Sequence, residues 1–400
     1  MKKAIILAGL AVLAFEAANA EVPAAKGTVG RDAAVTMILE NNPRLKALAE
    51  NQKAESTQLS VAGRFNNQPE VEFEHMWGKG GVTKWNAGVT QSFDWPGVYG
   101  RRREEAQARM GAFRYLYAAE ARSIATEAML LFDNAVYVQK QIALLDKLIA
   151  NLKQLQEKVA VAHKGGQATV LDVKKLDFEM YTYNARRNDL LQEQDRLAGE
   201  LAALNGGKAI DADFSGFVPQ ALQPLDEYLR LARENNPTVK AAEQNAEAAR
   251  MAARTADAER KPGFAVGYRH AYEEQIHFNG FSVSVSLPVF TNKAASLAAQ
   301  TRVTALGFEA ESVAGAEQAK VRATYADATR RAAALREMSK VTLDESYPRL
   351  VLMAYNGGQI NVITYLQEIS YFESAQAEYL AAEYSYYTDL TTLNALARPL

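Results

Sequence analysis

The sequence predicts a mainly helical protein with a small β part, arranged as two tandem helix–strand–strand–helix–helix copies. Three observations carry this reading. Sequence landmarks return at a nearly fixed offset, four short runs alternate apolar and polar residues, and two very long segments have helical composition. Asn41-Asn42-Pro43, followed by Leu45-Lys46-Ala47, returns 194 positions later as Asn235-Asn236-Pro237, followed by Val239-Lys240-Ala241. Pro96 in Phe93-Asp94-Trp95-Pro96-Gly97 has its counterpart 192 positions on at Pro288, in Ser286-Leu287-Pro288-Val289-Phe290. Gly165-Gly166-Gln167 returns as Gly357-Gly358-Gln359, again after 192 positions.

The chain has 400 residues with 23% charged and 48% apolar side chains, enough to bury a core. That composition excludes a disordered or collagen-like chain. Lys and Arg (45) nearly balance Asp and Glu (47), so no basic excess exists to neutralise a nucleic acid. Cysteine is absent, which removes disulfides, thiolate metal sites, cysteine nucleophiles and a lipid anchor built on an N-terminal cysteine.

In chain order, Lys2 and Lys3 precede the twelve-residue apolar run Ala4 to Phe15 and the small-x-small triplet Ala18-Asn19-Ala20. This pattern is that of a secretory signal peptide over 1–20, cleaved before Glu21. It is too short for a transmembrane helix, which takes about 20 apolar residues. The first repeat occupies 21–205, a Gly- and Pro-containing linker 206–224, and the second repeat 225–400. Residues 31–62 are rich in Ala, Leu, Glu and Lys and predict a helix.

From Glu70 to Trp77 the period becomes two, with Val71, Phe73, His75 and Trp77 opposite Glu70, Glu72, Glu74 and Met76. A second strand, Trp85 to Trp95, sets Trp85, Ala87, Val89, Phe93 and Trp95 against Asn86, Gly88, Thr90, Ser92 and Asp94. The second copy repeats the pattern with Phe264, Val266, Tyr268 and Tyr272, then with Phe281, Val283, Val285, Leu287 and Val289 against Ser282, Ser284 and Ser286.

Val98 to Lys164 contains no proline and would reach roughly 100 Å as one helix. Two neighbouring seams mark it, Ile142, Leu145, Ile149, Leu152 and Val159 beside Leu144, Leu148, Leu155 and Ala162, so two helical neighbours are expected. Gly165-Gly166 turns the chain and Val170 to Asn205 runs back. Lys293 to Asn356, the Gly357-Gly358 turn and Val362 to Leu396 repeat this, with Pro348 expected to kink the first of them.

Amphipathic strands have two homes, the cover of a soluble core or the wall of a membrane barrel. The aromatic strand ends (Trp77, Trp85, Trp95, Tyr268, Tyr272, Phe290) suit the interfacial girdle of a barrel. Such barrels start at about eight strands, so several chains must contribute, and three chains would give about twelve.

No motif for chemistry emerges. His270 and His277 lie on or beside the third and fourth strands, are too far apart in sequence for an i, i+4 zinc pair, and read as surface residues rather than ligands. Glu70, Glu72 and Glu74 stand about 7 Å apart on one strand face, which fits a lumen lining better than one coordination sphere. No phosphate-binding glycine loop or serine-hydrolase elbow occurs, so neither an enzyme nor a cofactor is expected.

The element order resembles the TolC family of outer-membrane efflux ducts over essentially the whole mature chain. The most specific stretches are Gln91-Ser92-Phe93-Asp94-Trp95-Pro96-Gly97-Val98-Tyr99-Gly100-Arg101-Arg102 and Ser286-Leu287-Pro288-Val289-Phe290-Thr291-Asn292, which look like that family's strand-to-helix junctions. Gly166 with Asp172-Val173 looks like its periplasmic helix turn, and the first junction is closest in form to the heavy-metal, CzcC/CusC-like branch.

The resemblance implies a homotrimer with a twelve-stranded outer-membrane barrel, four strands per chain, over a hollow periplasmic α-barrel. It also implies a periplasmic adaptor and an inner-membrane transporter of the resistance-nodulation-division class as partners, with heavy-metal cations as candidate cargo. Glu70, Glu72, Glu74, Thr90, Asp94, Ser282 and Ser284 would line the lumen. Gly165, Gly166, Val170, Leu171, Asp172, Gly357, Gly358, Val362 and Ile363 would form the periplasmic tip that docks the adaptor. Asp172, Thr364 and Gln367 mark the gate region, although Thr364 and Gln367 stand where such ducts can carry acidic gate residues. The rival reading is a periplasmic coiled-coil adaptor or scaffold protein, against which the duplication and the amphipathic strands weigh.

Overall fold

The computed structural model describes residues 28–64, 68–79, 83–273, 275–287, 293–342, 344 and 346–397. The expected signal peptide lies outside the described residues, as do Pro288 and Phe290 of the second junction. Among the described residues the elements are, in chain order, α1 (Arg31–Asn41), α2 (Pro43–Leu59), β1 (Glu70–Trp77), β2 (Thr83–Phe93), α3 (Pro96–Lys164), α4 (Val170–Leu204), α5 (Leu225–Asn235), α6 (Pro237–Ala258), β3 (Gly263–Glu273), β4 (Ile276–Ser286), α7 (Lys293–Thr342), α8 (Ser346–Asn356) and α9 (Val362–Ala397). The fold is mainly helical with four antiparallel strands in two helix–strand–strand–helix repeats, as the periodicities predict.

The single helix expected over 31–62 is instead two, broken at Asn42. A residue before proline disfavours the helical region, and Asn42 sits at ψ 122°. Its side chain then caps α2 by accepting from the backbone N–H of Arg44 (2.9 Å) and Leu45 (3.2 Å), with Pro43 in the first turn. Its amide nitrogen donates to the Leu204 carbonyl at 2.9 Å, tying the break to the end of α4. The second copy repeats the device, Asn236 accepting from Thr238 N–H at 2.9 Å and donating to Glu317 at 2.8 Å. The duplicated Asn-Asn-Pro landmark is therefore a helix break with its own cap.

The strands form one sheet in the order β1-β2-β3-β4. Its register places Glu72 opposite Gly88, Gly88 opposite Arg269 and Arg269 opposite Gly280, so these four, and every second residue from each along its strand, share one face. β1 and β4 are the edges.

Below the sheet α3 runs for 69 residues, about 100 Å. Its buried stripe is Leu145, Leu148, Leu152, Leu155 and Val159, a 3-4-3-4 spacing that draws from both expected seams. Leu144 and Ile149 are only half-buried beside it. This stripe joins Leu176 and Tyr183 of α4 to Val351, Val362, Tyr365 and Leu366 of α8 and α9. Further up, Ile38, Ile124, Ala125 and Leu201 form a second core, and Tyr228, Val321, Leu393 and Ala397 form its counterpart in the second copy.

Pro348 does not kink a continuous helix. α7 ends at Thr342 and α8 starts at Ser346, so Pro348 falls in the first turn of α8, where a missing N–H breaks no hydrogen bond. The Gly- and Pro-containing segment after α4 lies across the helices: Phe214 packs on Phe132 (4.9 Å between ring centres) and Phe217 stacks on Tyr387 (4.5 Å).

A buried ion pair of the first copy is met by a hydroxyl of the second. Arg31 donates to Asp133 at 3.3 Å, and the Thr391 hydroxyl of α9 donates to the other carboxylate oxygen at 2.7 Å. Burial pushes the Asp133 carboxyl up, against the opposing pull of Arg31 and Thr391. A pair buried this way adds little net stability, but removing one partner strands the other. Asp133→Ala should therefore destabilise the helical part by about 3 kcal/mol. Asp32→Asn, at the exposed and more distant partner of Arg31, should change it by less than about 0.5 kcal/mol. Thermal unfolding followed by circular dichroism checks both.

Candidate functional site

Two regions gather the chemistry singled out in the sequence, the sheet and the paired turns at the far end of the long helices. The sheet separates its side chains cleanly. On one face stand Val71, Phe73, Trp85, Val89, Phe93, Phe264, Val266, Tyr268, Tyr272, Phe281, Val283 and Val285. This face is uncovered, with Val71 78%, Phe73 71%, Phe281 85% and Val283 75% exposed. A soluble chain rarely leaves so much contiguous apolar surface open.

Aromatic side chains mark both ends of that face. Trp85 stacks on Tyr272 (6.0 Å) near the hairpin turns, and Phe93 stacks on Phe264 (5.1 Å) near the helices.

The opposite face carries Glu70, Glu72, Glu74, Asn86, Thr90, Ser92, Arg269, Ser282 and Ser284. Small residues sit at its centre. A Cβ on Gly267 would come within 2.7 Å of both Thr90 Oγ1 and Ser282 Oγ, so only glycine fits between those neighbours. Glu72 is not a free carboxylate, because Arg269 donates to it at 2.9 Å. Asn86 donates to Glu74 at 2.9 Å, and Lys84 pairs with Glu273 at 2.7 Å. Asp94 lies just past β2 and is held by Arg102 at 2.7 Å, which also pairs with Glu259 at the end of α6. Asp94 is thus an ion-paired residue of the strand-to-helix junction rather than a member of the Glu70, Glu72 and Glu74 row.

At the far end, Gly166 and Gly358 adopt φ of 75° and 69°, the left-handed turn conformation open to glycine. Gly165 and Gly357 precede them and close each helix with backbone hydrogen bonds. α4 then starts with a capping box. Thr169 Oγ1 accepts from Asp172 N–H (3.2 Å), and Asp172 Oδ2 accepts from Thr169 N–H (2.8 Å). α9 starts in parallel fashion, Asn361 Oδ1 accepting from Thr364 N–H at 2.9 Å.

Asp172 and Thr364 therefore hold equivalent positions, and both side chains are engaged in capping. Gln367 is exposed on the next turn, and the neighbouring Glu368 accepts from the Tyr347 hydroxyl. Val170 and Leu171 are 60% and 68% exposed. Val362 differs: it is buried in the hydrophobic cluster with Leu176 and Val351, because the start of α9 packs on the first hairpin, and only Ile363 beside it is half-exposed.

Sequence reasoning missed other polar groups. Glu373 is buried and accepts from the Tyr183 hydroxyl (2.6 Å) and Arg186 (3.1 Å), and burial together with that carboxylate pushes the tyrosine up. Burial lowers Arg122 to about 10, with Glu317 opposing. These are long-range helix contacts with no local sequence signal. His270 and His277 lie on β3 and β4, as expected from the strand pattern, but the hairpin brings their rings together, His277 Nδ1 3.2 Å from His270 Nε2, which their spacing in sequence does not show. No helix among the described residues is long and apolar enough to cross a membrane.

No family model matches the sequence, and no curated protein matches it either. Solved structures do share its fold. CusC, whose structures concern folding and transmembrane channel formation, matches with a TM-score of 0.76 at 15% identity, over 92% of each chain. The open-state MtrE outer-membrane channel of Neisseria gonorrhoeae matches with a TM-score of 0.76 at 18% identity, over 92% of this chain and 89% of its own. The outer-membrane protein VceC of Vibrio cholerae matches with a TM-score of 0.74 at 14% identity, over 92% and 96%. The chain has the fold of these TolC-like channels.

The capping box gives a pH-dependent prediction. Hydrogen bonds from Thr169, first its backbone and then its hydroxyl, hold the Asp172 carboxyl below its ordinary value. A depressed carboxyl stabilises the fold above its unfolded-state value and loses that contribution as pH falls through the folded one. The thermal stability of the wild type should therefore exceed that of Asp172→Asn at neutral pH. Melting curves taken at decreasing pH should converge below the ordinary carboxylate range.

Proposed function

We propose that this chain is an outer-membrane channel, the passive exit duct of a tripartite efflux pump, with its long helices extending into the periplasm. The observation that carries the reading is the sheet: an uncovered apolar face, a polar face opposite, and an open edge on each side. β2, β3 and β4 each have 11 residues, the length a tilted strand needs to cross a bilayer. In lipid every backbone group must be paired, so four strands are viable only as part of a closed barrel. Three copies would supply about twelve strands, with the apolar face toward lipid and the polar face toward an aqueous lumen. The α3–α4 and α7–α9 helices of three copies would then continue the duct as a tunnel.

The solved channels of like fold support this placement. No side-chain constellation described above suggests catalysis, and the duct needs none. The division into 21–205, 206–224 and 225–400 accords with the repeated helix breaks and turns. In a pump of this kind the exposed Val170 and Leu171, presented by the Gly165-Gly166 turn, would meet a periplasmic adaptor, with Gly357-Gly358 and Ile363 beside them. The adaptor would join the duct to an inner-membrane transporter of the resistance-nodulation-division class. Asp172, Thr364 and Gln367 would line the narrow end, where Asp172 keeps its charge while its oxygens cap α4.

Cation preference is the finer part of the proposal, and it is what heavy-metal cargo would require. Glu70 and Glu74, and Glu72 balanced by Arg269, would stand around one lumen in three copies, where low-dielectric walls concentrate the field.

Planar-bilayer recordings of the purified protein under a potassium chloride gradient test both levels. Step-like conductance with a reversal potential of cation sign is expected, and Glu70→Gln with Glu74→Gln should move that potential toward zero. No conductance would contradict the channel, and conductance of anion sign would contradict the selectivity alone. Topology is checked separately. Val283→Arg on the apolar face should cost about 2–4 kcal/mol and deplete the membrane-inserted protein, while Ser284→Arg should insert normally.

A further inference from the structure

The β3–β4 hairpin sets two imidazoles against one another. Tyr272 pairs with His277, and His270 pairs with Asn279, so His270 and His277 are diagonal neighbours on one sheet face. Asn279 Oδ1 lies 2.7 Å from His270 Nδ1 and also accepts the Tyr268 hydroxyl at 2.7 Å. A ring nitrogen facing a carbonyl oxygen must carry the proton, which leaves His270 Nε2 as a lone pair. That lone pair faces His277 Nδ1 at 3.2 Å.

This arrangement is what a metal-ligating histidine needs: one nitrogen fixed by an oxygen acceptor behind it, the other aimed outward. The separation fits as well. Two imidazole nitrogens bound to one four-coordinate zinc lie roughly 3.3 Å apart, given zinc–nitrogen bonds of about 2.0–2.1 Å at the tetrahedral angle.

We propose that His270 and His277 form a two-imidazole chelate for a late first-row divalent cation, Zn2+ foremost. In the metal-free hairpin His277 Nδ1–H donates to His270 Nε2. On binding, the His277 proton shifts to its own Nε2 through solvent, freeing Nδ1 as the second ligand, and no net proton is released. Asn279 is a positioning residue that holds His270 in the ligating tautomer. No group of three or more His, Cys, Asp or Glu side chains gathers for a metal among the described residues, so water completes the coordination. His277 is exposed and His270 half-buried at the hairpin-turn end of the apolar face, beside Trp85 and Tyr272, where an ion has access from outside. The metal would clip β3 to β4. The proposal needs one hairpin of one chain and stands whether or not the chain conducts ions.

The test uses the full-length protein purified without a histidine tag. Isothermal titration with Zn2+ should show one saturable site per chain. His270→Asn and His277→Asn should each weaken it at least about tenfold, and Asn279→Leu about tenfold with Asn279→Asp restoring it. With Cu2+ as the spectroscopic probe, electron paramagnetic resonance should report two imidazole nitrogens in the wild type and one in either histidine variant. Circular dichroism verifies that the variants fold. If a variant fails to fold, diethylpyrocarbonate labelling of the wild type decides, since Zn2+ should shield His270 and His277 but not His163 at the far end. Absence of saturable binding overturns the proposal, as does wild-type affinity in both histidine variants, loss in His163→Gln, or labelling unaffected by Zn2+.

Discussion

The outward backbone groups of β1 and β4 find no ladder partner among the described residues, and this unfinished hydrogen bonding governs the rest of the molecule. In water an open edge is tolerable, but this sheet also exposes a continuous apolar face that water disfavours. In lipid the apolar face is at home, and then the open edges become intolerable. Both requirements are met together only when the edges of several copies join into a closed wall. The polar face carries small residues, Gly267 and Ala265, between Thr90, Ser282 and Ser284, and in such a wall it would enclose water without filling the interior.

The helices answer a different constraint. A helix of about 100 Å cannot curl into a globule, so α3 buries a heptad stripe against the neighbouring hairpin and leaves its other sides half-covered. The ends are fixed locally, by Asn42 and Asn236 at the breaks and by the Thr169–Asp172 box at the turn, so that length does not become fraying. The Arg31–Asp133–Thr391 contact then ties α1, α3 and α9, linking the two copies beside the Phe132–Phe217 cluster. These devices place the sheet at one end and the paired turns at the other.

Much of this was legible from residue spacing. The β1 bounds follow from Glu70–Trp77 alternation, because a period of two has few physical causes. The Gly166 and Gly358 turns followed from glycine's access to positive φ. Composition alone misread 31–62 as one helix, since it weighed helix formers and overlooked what Pro43 does to Asn42. Pro348 marked an interruption, but the break falls before it, where its missing N–H is harmless. Seam residues were named without knowing which neighbours existed, so half-buried Leu144 looked equivalent to buried Leu145. The His270–His277 contact, the Asp94–Arg102 pair and the burial of Val362 depend on cross-strand register and tertiary packing, which no local window contains.

The central claim is that β1 of one copy pairs with β4 of the next. Within one chain these edges stand about 14 Å apart across two intervening strands, beyond the reach of a disulfide. The chain has no native cysteine, so introduced ones report cleanly. Cysteines placed singly at Glu72, Phe73 or Glu74 and combined with cysteines at Gly280, Phe281 or Ser282 sample the registers at mid-strand. Oxidation in native membranes should give covalent dimers and a ladder that stops at three chains, for the combinations in register. Membrane-embedded protein that stays monomeric across the whole panel would contradict the account.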